Sequence, residues 1–166
     1  MNIFLPYENN IGKSLQSLDD KRLIKQILEV YQLLQIYEKE QQGIILNNNN
    51  SNRGYQNHPI YKHYKKYPRF LYFYGYNGCL EYRFRFKKEH KYFDYFSTNA
   101  LKHKTFKYTP FYMEGSKNSP DNIRTTENVS ILYQEKLIQK WISSKYTVKW
   151  TNRPTPQFLQ DFFKNS

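Results

Sequence analysis

The chain has 166 residues, a length that suits one domain and can bury a core without disulfides or metals. Its 17 Tyr, 12 Phe and 2 Trp residues exclude a disordered polar chain. Its 26 basic residues exceed the 14 acidic ones by 12, which favours a polyanionic partner such as nucleic acid.

Cysteine usage and hydropathy further restrict the class of protein and the compartment in which we expect it. Cys79 is the only cysteine, so no internal disulfide is available and a reducing compartment is expected. Met1–Pro6 has neither the basic flank nor the apolar run of a signal peptide. No window reaches the ~18 apolar residues of a membrane span. We therefore expect an intracellular protein without a membrane partner, with virion association as a further option.

The first predicted helix runs from Leu18 to about Gln42. Ser14 or Ser17 is predicted to cap it, and Gly43 to end it. Its apolar positions recur with the spacing of a buried helical stripe: Leu23, Ile27, Tyr31 and Leu34.

The middle of the chain predicts a second long helix between two loops. Residues 47–54 are rich in asparagine and predict a surface loop. The helix is expected from Arg69 to about Phe96, with Pro68 in its first turn. Gly75 and Gly78 interrupt it and predict either a kink or the close approach of another backbone. Residues 98–128 predict a long irregular loop of the kind that often carries function.

Two further helices complete the prediction. One spans Val129 to about Ser143, and a short one follows a cap at Thr155 and carries Phe158, Leu159, Phe162 and Phe163. The sequence shows no internal repeat and little strand pattern. We therefore predict an all-α, compact, single-domain fold with long loops over residues 1–166.

The first candidate site lies on the first helix. Lys21, Arg22 and Lys25 adjoin Glu29 on neighbouring stripes, so the cations could hold phosphates while the carboxylate orients a base or acts as an acid/base. The alternative is a solvated face on which Lys25 and Glu29 form an i, i+4 pair.

A second basic stripe lies near the end of the second helix. Arg83, Lys87 and His90 are predicted to share one face, and Glu81 to pair with Arg85. Such a stripe, interleaved with aromatics, suits phosphate contact and base stacking. The alternative is that the aromatics are core and the cations are solvated.

His58 follows the asparagine-rich loop and precedes a proline. It could shuttle a proton or bind a phosphate, although a lone histidine is often only a hydrogen-bonding residue. The sequence has no metal-ligand spacing, no phosphate-binding glycine loop, no nucleophile elbow and no dinucleotide fingerprint. We therefore predict no metal and no cofactor.

Read together, five segments resemble the pyrimidine-dimer DNA glycosylases of the endonuclease V type, a family of phages and large DNA viruses. They are Met1–Phe4, Leu18–Glu29, His58–Pro59, Leu80–Lys91 and Lys149–Pro156. The resemblance implies a compact all-α domain that flips damaged bases out of duplex DNA. It also implies an N-terminal amine that forms an imine with the sugar, a glutamate on the first helix that assists, and strand cleavage by elimination. In our register the glutamate position falls on Gln26, with Glu29 one turn later as the nearest carboxylate.

We accordingly predict a DNA-binding protein of the glycosylase/AP lyase type, acting on duplex DNA, with Lys21, Arg22, Lys25, Glu29 and His58 in one pocket. Catalysis would use Glu29 or His58 as acid/base and Lys25 or the Met1 amine as nucleophile. The predicted nucleic-acid-binding residues are Lys21, Arg22, Arg83, Lys87, His90, Lys149, Trp150 and Arg153. Two alternatives remain open: a non-enzymatic viral sponge protein for nucleotides, and a basic virion or DNA-packaging protein.

Overall fold

A computed structural model describes residues 2–7, 10–44, 56–102 and 126–166, with the side chains of the last range described from residue 130. These ranges contain seven helices and no strand, which confirms the all-α class. The helices are α1 (Ile11–Ser17), α2 (Asp20–Gln41), α3 (Pro59–Tyr64), α4 (Pro68–Phe86), α5 (Phe93–Lys102), α6 (Thr126–Ile142) and α7 (Gln157–Lys164). Within them, no helix is both long enough and apolar enough to cross a membrane.

The N-terminal region contains two helices where one was predicted. Ser14 and Ser17 lie inside α1, so the prediction that either caps the long helix is wrong. Asn10 caps α1 by accepting a 2.9 Å hydrogen bond from the Lys13 amide. Asp19 occupies the cap position of α2 without a side-chain capping bond. The carboxylate of Asp19 instead accepts from the indole of Trp141 over 2.8 Å, which ties the start of α2 to α6.

The end of α2 agrees with the prediction. Gly43 follows the last turn with φ +72°, a left-handed conformation that glycine adopts without steric cost. The asparagine-rich segment 47–54 falls outside the described residues.

The second long helix ends earlier than predicted. Pro68 lies in the first turn of α4 as expected, but the helix stops at Phe86. Lys87 follows it with φ +56°, and this left-handed residue turns the chain toward α5. The single helix predicted to reach Phe96 is therefore wrong. Of the loop predicted at 98–128, the first residues belong to α5 and the last to α6, and residues 103–125 lie outside the described ranges.

Gly75 and Gly78 allow neighbouring helices to pack closely against an uninterrupted α4. A Cβ on Gly75 would lie 2.0 Å from the ring of Phe96 in α5, and one on Gly78 would lie 2.8 Å from Cγ1 of Ile27 in α2. The helix does not break at either glycine, so the predicted kink is wrong, and the close approach is made by side chains of two other helices and not by a backbone.

A buried guanidinium joins three helices beneath the core. The Arg85 side chain has no exposed surface and contacts Glu81 at 2.8 Å and Asp20 at 3.0 Å. It also donates to the carbonyls of Leu15 and Gln16 near the end of α1. The predicted Glu81–Arg85 pair is confirmed, and it is part of a buried network because both carboxylates have further partners.

The C-terminal segment completes this network. Arg153 donates to both oxygens of Glu81 at 2.9 Å each, and Thr151 donates to Asp20 from its amide and its hydroxyl. The segment before α7 is thereby fixed to the start of α2 and to the end of α4. Thr155 was predicted to cap α7, but Pro156 holds the cap position and no side chain caps the helix.

Candidate active-site cavity

A cavity of about 350 Å³ opens beside the first three turns of α2. It is lined by the N-terminal segment, one face of α2, the end of α6 and the segment after it. The lining residues are Asn2, Phe4, Lys21, Arg22, Lys25, Gln26, Glu29, Lys140 and Tyr146. The five residues from α2 fall in two adjoining rows of four-residue spacing, Lys21–Lys25–Glu29 and Arg22–Gln26, so they share one side of the helix.

Gln26 fixes the N-terminal segment against α2. Its side-chain nitrogen donates to the backbone carbonyl of Asn2 over 2.7 Å. Its side-chain oxygen accepts from the amide of Phe4 at 3.0 Å and from the hydroxyl of Tyr74 at 2.9 Å. The second residue of the chain is thereby held at the cavity wall.

Glu29 is the carboxylate that lines this cavity. It is buried, and its Oε2 accepts from Nε2 of Gln26 over 3.0 Å. Its Oε1 lies 3.6 Å from Nζ of Lys25, so the predicted i, i+4 pair forms. Burial raises the pKa of Glu29, while the charges of Lys25 and of the N-terminal amine and the bond from Gln26 act in the opposite direction. A carboxyl with a raised pKa in a cavity suits acid/base chemistry.

In our register the family's glutamate position falls on Gln26, and this amide side chain has a structural role. Both the nitrogen and the oxygen of Gln26 are used in hydrogen bonds to the N-terminal segment, Tyr74 and Glu29. Gln26 cannot ionise, but it positions the carboxylate that can.

Two of the cations that line the cavity, Lys21 and Arg22, are held by Tyr146. Nζ of Lys21 lies 3.8 Å from the centre of the Tyr146 ring. Arg22 donates to the hydroxyl of Tyr146 and to Oδ1 of Asp19, the latter over 2.9 Å. The segment after α6 is therefore anchored to the first turn of α2 by a cation–aromatic contact and a charged hydrogen-bond network.

Two of the lining residues, Lys140 and Tyr146, were missed by sequence reasoning. Burial lowers the pKa of Lys140, and the charges of Arg22, Lys136 and Lys25 lower it further, while Glu29 opposes them. The sequence offers one weak signal for Lys140. It precedes Trp141, whose burial sets the orientation of this turn of α6. Both residues are more than a hundred positions from Glu29, so no local spacing joins them to it.

The structure brings together four of the five residues predicted to share one pocket. Lys21, Arg22, Lys25 and Glu29 line the cavity, and His58 does not. His58 is the N-cap of α3, where its Nδ1 accepts from the amide of Ile60 over 3.2 Å.

The second predicted basic stripe is not a helical face, because α4 ends at Phe86. Arg83 remains on the helix with its guanidinium 5.2 Å from the ring centre of Phe93. Lys87 lies beyond the helix end, with Nζ 4.7 Å from the ring of Phe84. Burial and the charge of Lys91 lower the pKa of His90, whose Nδ1 accepts from a backbone amide. The predicted common face of Arg83, Lys87 and His90 is therefore wrong.

The predicted residues of the C-terminal segment make mainly structural contacts. Trp150 donates from its indole to the carbonyl of Ser17 over 2.8 Å. Arg153 pairs with Glu81, and its guanidinium lies 3.7 Å from the ring centre of Phe84. The Lys149 side chain is exposed, while its carbonyl accepts from the Asp20 amide over 3.0 Å.

Helices alone over the described residues, a net charge of +12 and a cavity of cations around one buried carboxylate favour a protein that binds nucleic acid. The comparison with known families agrees with this. The chain belongs to the pyrimidine dimer DNA glycosylase family, whose model matches residues 1–94, more than half of the sequence. No curated protein and no solved structure gives a match. Membership confirms the resemblance and places the chain in DNA repair with DNA as its substrate.

The range matched by the family model covers part of the cavity lining. It includes all of the lining residues from the N-terminal segment and α2, and it excludes Lys140 and Tyr146. The comparisons lend no support to the sponge or packaging alternatives.

Proposed function

We propose that the protein removes a damaged pyrimidine base from duplex DNA and then cleaves the abasic strand, and that the cavity at Glu29 is its active site. The observation that carries this proposal is the placement of a buried carboxylate, Glu29, among four cationic side chains in one cavity. Family membership supplies the substrate class.

The dimensions of the cavity favour a nucleotide that has left the duplex. About 350 Å³ lies within the range of small-molecule sites and is far too small for a double helix. The reacting C1′ atom is not accessible inside stacked DNA, so the damaged nucleotide must be extruded. A damaged pair is weakened before binding, which makes its extrusion less costly than that of an intact pair.

Cations at the mouth of the cavity would hold the strand while the base enters. Lys21, Arg22 and Lys25 lie on one side of α2 and would contact the phosphates that flank the extruded nucleotide. The exposed cations Arg83, Lys87 and Lys149 would extend this surface along the duplex. Such contacts fix the position of DNA without reading its sequence.

Glu29 would serve as the acid/base. An amine of the site displaces the base at C1′, the base leaves with the bonding pair and takes a proton from water, and Glu29 accepts the proton that the amine loses. The carboxyl then returns this proton to the sugar ring oxygen as the ring opens to an imine. The predicted amines are the N-terminal amine of Met1 and Lys25. His58 would act from outside this cavity, because it does not line it.

The test is glycosidic-bond cleavage in a duplex with a single pyrimidine dimer, compared with the same duplex undamaged. It is measured as strand cleavage at the dimer and as free base released after the dimer is reversed by light, because the cleaved base stays joined to its neighbour through the dimer. The wild-type protein is expected to cleave at the damaged site only. Glu29→Gln is expected to lose activity by about a hundredfold or more, as for removal of a general base. Glu135→Gln, an exposed glutamate on α6, is the matched control and should keep full activity.

Two results would contradict the proposal. One is a wild-type protein that binds the dimer duplex but leaves both the glycosidic bond and the strand at the dimer intact. The other is a Glu29→Gln variant as active as the Glu135→Gln control.

A further inference from the structure

We propose that Ile24 and Leu28 form an apolar wedge, which enters the gap left in the duplex when a damaged nucleotide is extruded into the cavity. The inference rests on the proposed function and adds the groups that take the place of the extruded base. Neither residue lines the cavity, so the wedge lies outside the site described above.

The two wedge residues lie beside the cavity lining on α2. Ile24 follows Lys21 by three positions, and Leu28 follows Lys25 by the same interval. Residues three positions apart on a helix are neighbours, so Ile24 adjoins Lys21 and Leu28 adjoins Lys25. The pair therefore forms the next row of α2, beside the lysines that would contact the flanking phosphates.

The wedge residues are accessible to a partner. Ile24 is 43% exposed and Leu28 is 39% exposed, whereas Leu23 and Ile27 on the same helix are buried. A single exposed aliphatic residue is ordinary on a protein surface. Two in one row beside a cationic cavity indicate a partner that is both apolar and anionic. A duplex from which a nucleotide has been extruded is such a partner, because the flanking bases expose their faces between charged phosphates.

Positive charge flanks the wedge on both sides. On the side away from the cavity, Tyr31 follows Leu28 by three positions and stacks on Tyr92, with the ring centres 3.9 Å apart. The ammonium of Lys91 lies 4.9 Å from the centre of the Tyr92 ring. Lys25 thus lies on one side of Leu28, and Lys91 lies beyond Tyr31 on the other. This arrangement suits the insertion of apolar side chains between phosphates.

A wedge at this place stabilises the extruded nucleotide. Extrusion breaks the stacking of the damaged nucleotide on its neighbours, and the cost of this step opposes entry into the cavity. Isoleucine and leucine side chains inserted at a base step replace part of the lost contact and favour a kinked duplex. The damaged nucleotide then stays in the cavity long enough for Glu29 to act.

The experiment measures unstacking with the fluorescent base 2-aminopurine, placed beside the dimer in a duplex and titrated with the full chain. This base emits strongly when it is unstacked, and aliphatic side chains do not quench it. The wild-type protein at saturation is expected to raise the emission, and Ile24→Ala/Leu28→Ala to give about half of that rise or less. The matched control is Ile131→Ala/Leu132→Ala, which removes an equally exposed pair from α6 and should behave as the wild type does.

Two further measurements separate insertion from folding and from phosphate contact. The affinity of Ile24→Ala/Leu28→Ala for undamaged duplex should stay within about twofold of the wild type, because the phosphate contacts remain. Its kcat/KM for glycosidic-bond cleavage at the dimer should fall by about tenfold or more. The fall should shrink to about threefold or less on a duplex that lacks the bases opposite the dimer, because extrusion there costs less.

Three results overturn the wedge. One is an emission rise that is absent with the wild type or undiminished in Ile24→Ala/Leu28→Ala. Another is an equal loss of cleavage on the two duplexes, as a general structural defect would give. The third is a wild-type dimer that Ile24→Ala/Leu28→Ala converts to a monomer, which assigns the pair to an interface between copies of the chain. The proposed function fails separately: the wild type would then raise the emission but leave the glycosidic bond at the dimer intact.

Discussion

The side-chain nitrogen of Gln26 lies 2.7 Å from the backbone carbonyl of Asn2 and 3.0 Å from Oε2 of Glu29. One amide therefore fixes both the start of the chain and the carboxylate of the cavity. Its oxygen meanwhile accepts from Phe4 and Tyr74. Only a side chain with both a donor and an acceptor can do this, which explains why an amide and not a carboxylate occupies the position.

Replacing Gln26 with Glu tests this account. The variant keeps the acceptor but loses the donor, so its carboxylate would face the Asn2 carbonyl and the Glu29 carboxylate. We expect the free energy of unfolding to fall by about 1–3 kcal/mol, the usual cost of a buried polar group left without its partner. Urea unfolding measures this, with Gln32→Glu on the half-exposed side of α2 as the control. Equal stability of the two variants would contradict the role of Gln26 in fixing Asn2 and Glu29.

The pH dependence of glycosidic-bond cleavage at the dimer reports the ionisation of Glu29. As a base the carboxyl must be ionised, and burial raises its pKa, so activity should fall on the acid side at a pH above the ordinary glutamate range. Lys25 lowers that pKa through its charge. Lys25→Met should therefore move the acid limb of kcat/KM to higher pH. An unmoved limb, or a shift to lower pH, would show that another group controls it.

The buried guanidinium of Arg85 should be essential to stability and not to chemistry. Arg85→Met leaves Asp20 and Glu81 without a charge that both contact, and breaking such a buried pair costs about 3–5 kcal/mol. The comparison is Arg83→Met, an exposed neighbour for which a change within about 0.5 kcal/mol is expected. Chemical unfolding at neutral pH measures both. A loss below 1 kcal/mol in the free energy of unfolding of Arg85→Met would show that the stability of the protein does not depend on this network.

Alanine substitutions at Gly75 and Gly12 should change the free energy of unfolding in opposite directions. Gly75→Ala places a methyl group 2.0 Å from the Phe96 ring and should destabilise the protein by about 1–3 kcal/mol, as overpacking does. Gly12→Ala in α1 meets only Asn10 at 3.8 Å and should gain up to about 1 kcal/mol from helix propensity. The double variant Gly75→Ala/Phe96→Leu should recover part of the loss. Thermal unfolding distinguishes these cases, and a neutral Gly75→Ala would contradict the close packing of α4 and α5.

Local spacing was sufficient to predict the helical class and the side of α2 that carries the cavity. The stripe of Leu23 and Ile27 defines the buried side of α2. The basic residues and Glu29 lie on the neighbouring side of the same helix. The helix break at Lys87 could not be predicted, because a lysine with positive φ has no sequence signal. Nor could spacing show that Arg85 is buried, since its partner Asp20 is 65 residues away.

The far wall of the cavity was outside the reach of sequence reasoning. Tyr146 reaches α2 through Arg22 and Asp19, and these contacts join residues more than 120 positions apart. Lys140 has an ordinary place in an amphipathic helix, and only the tertiary fold brings it to the cavity that Glu29 lines. Tertiary contacts of this kind decide which of many lysines enters a site.

The most direct test of the central claim is borohydride trapping on a duplex that carries a pyrimidine dimer in place of an abasic site. An adduct on this substrate requires one protein to remove the base and to form the imine. We predict a covalent adduct with the wild-type protein on the dimer duplex, none on undamaged DNA, and none with Glu29→Gln on the dimer. A wild-type protein that binds all of these duplexes alike and is trapped on none would contradict the account.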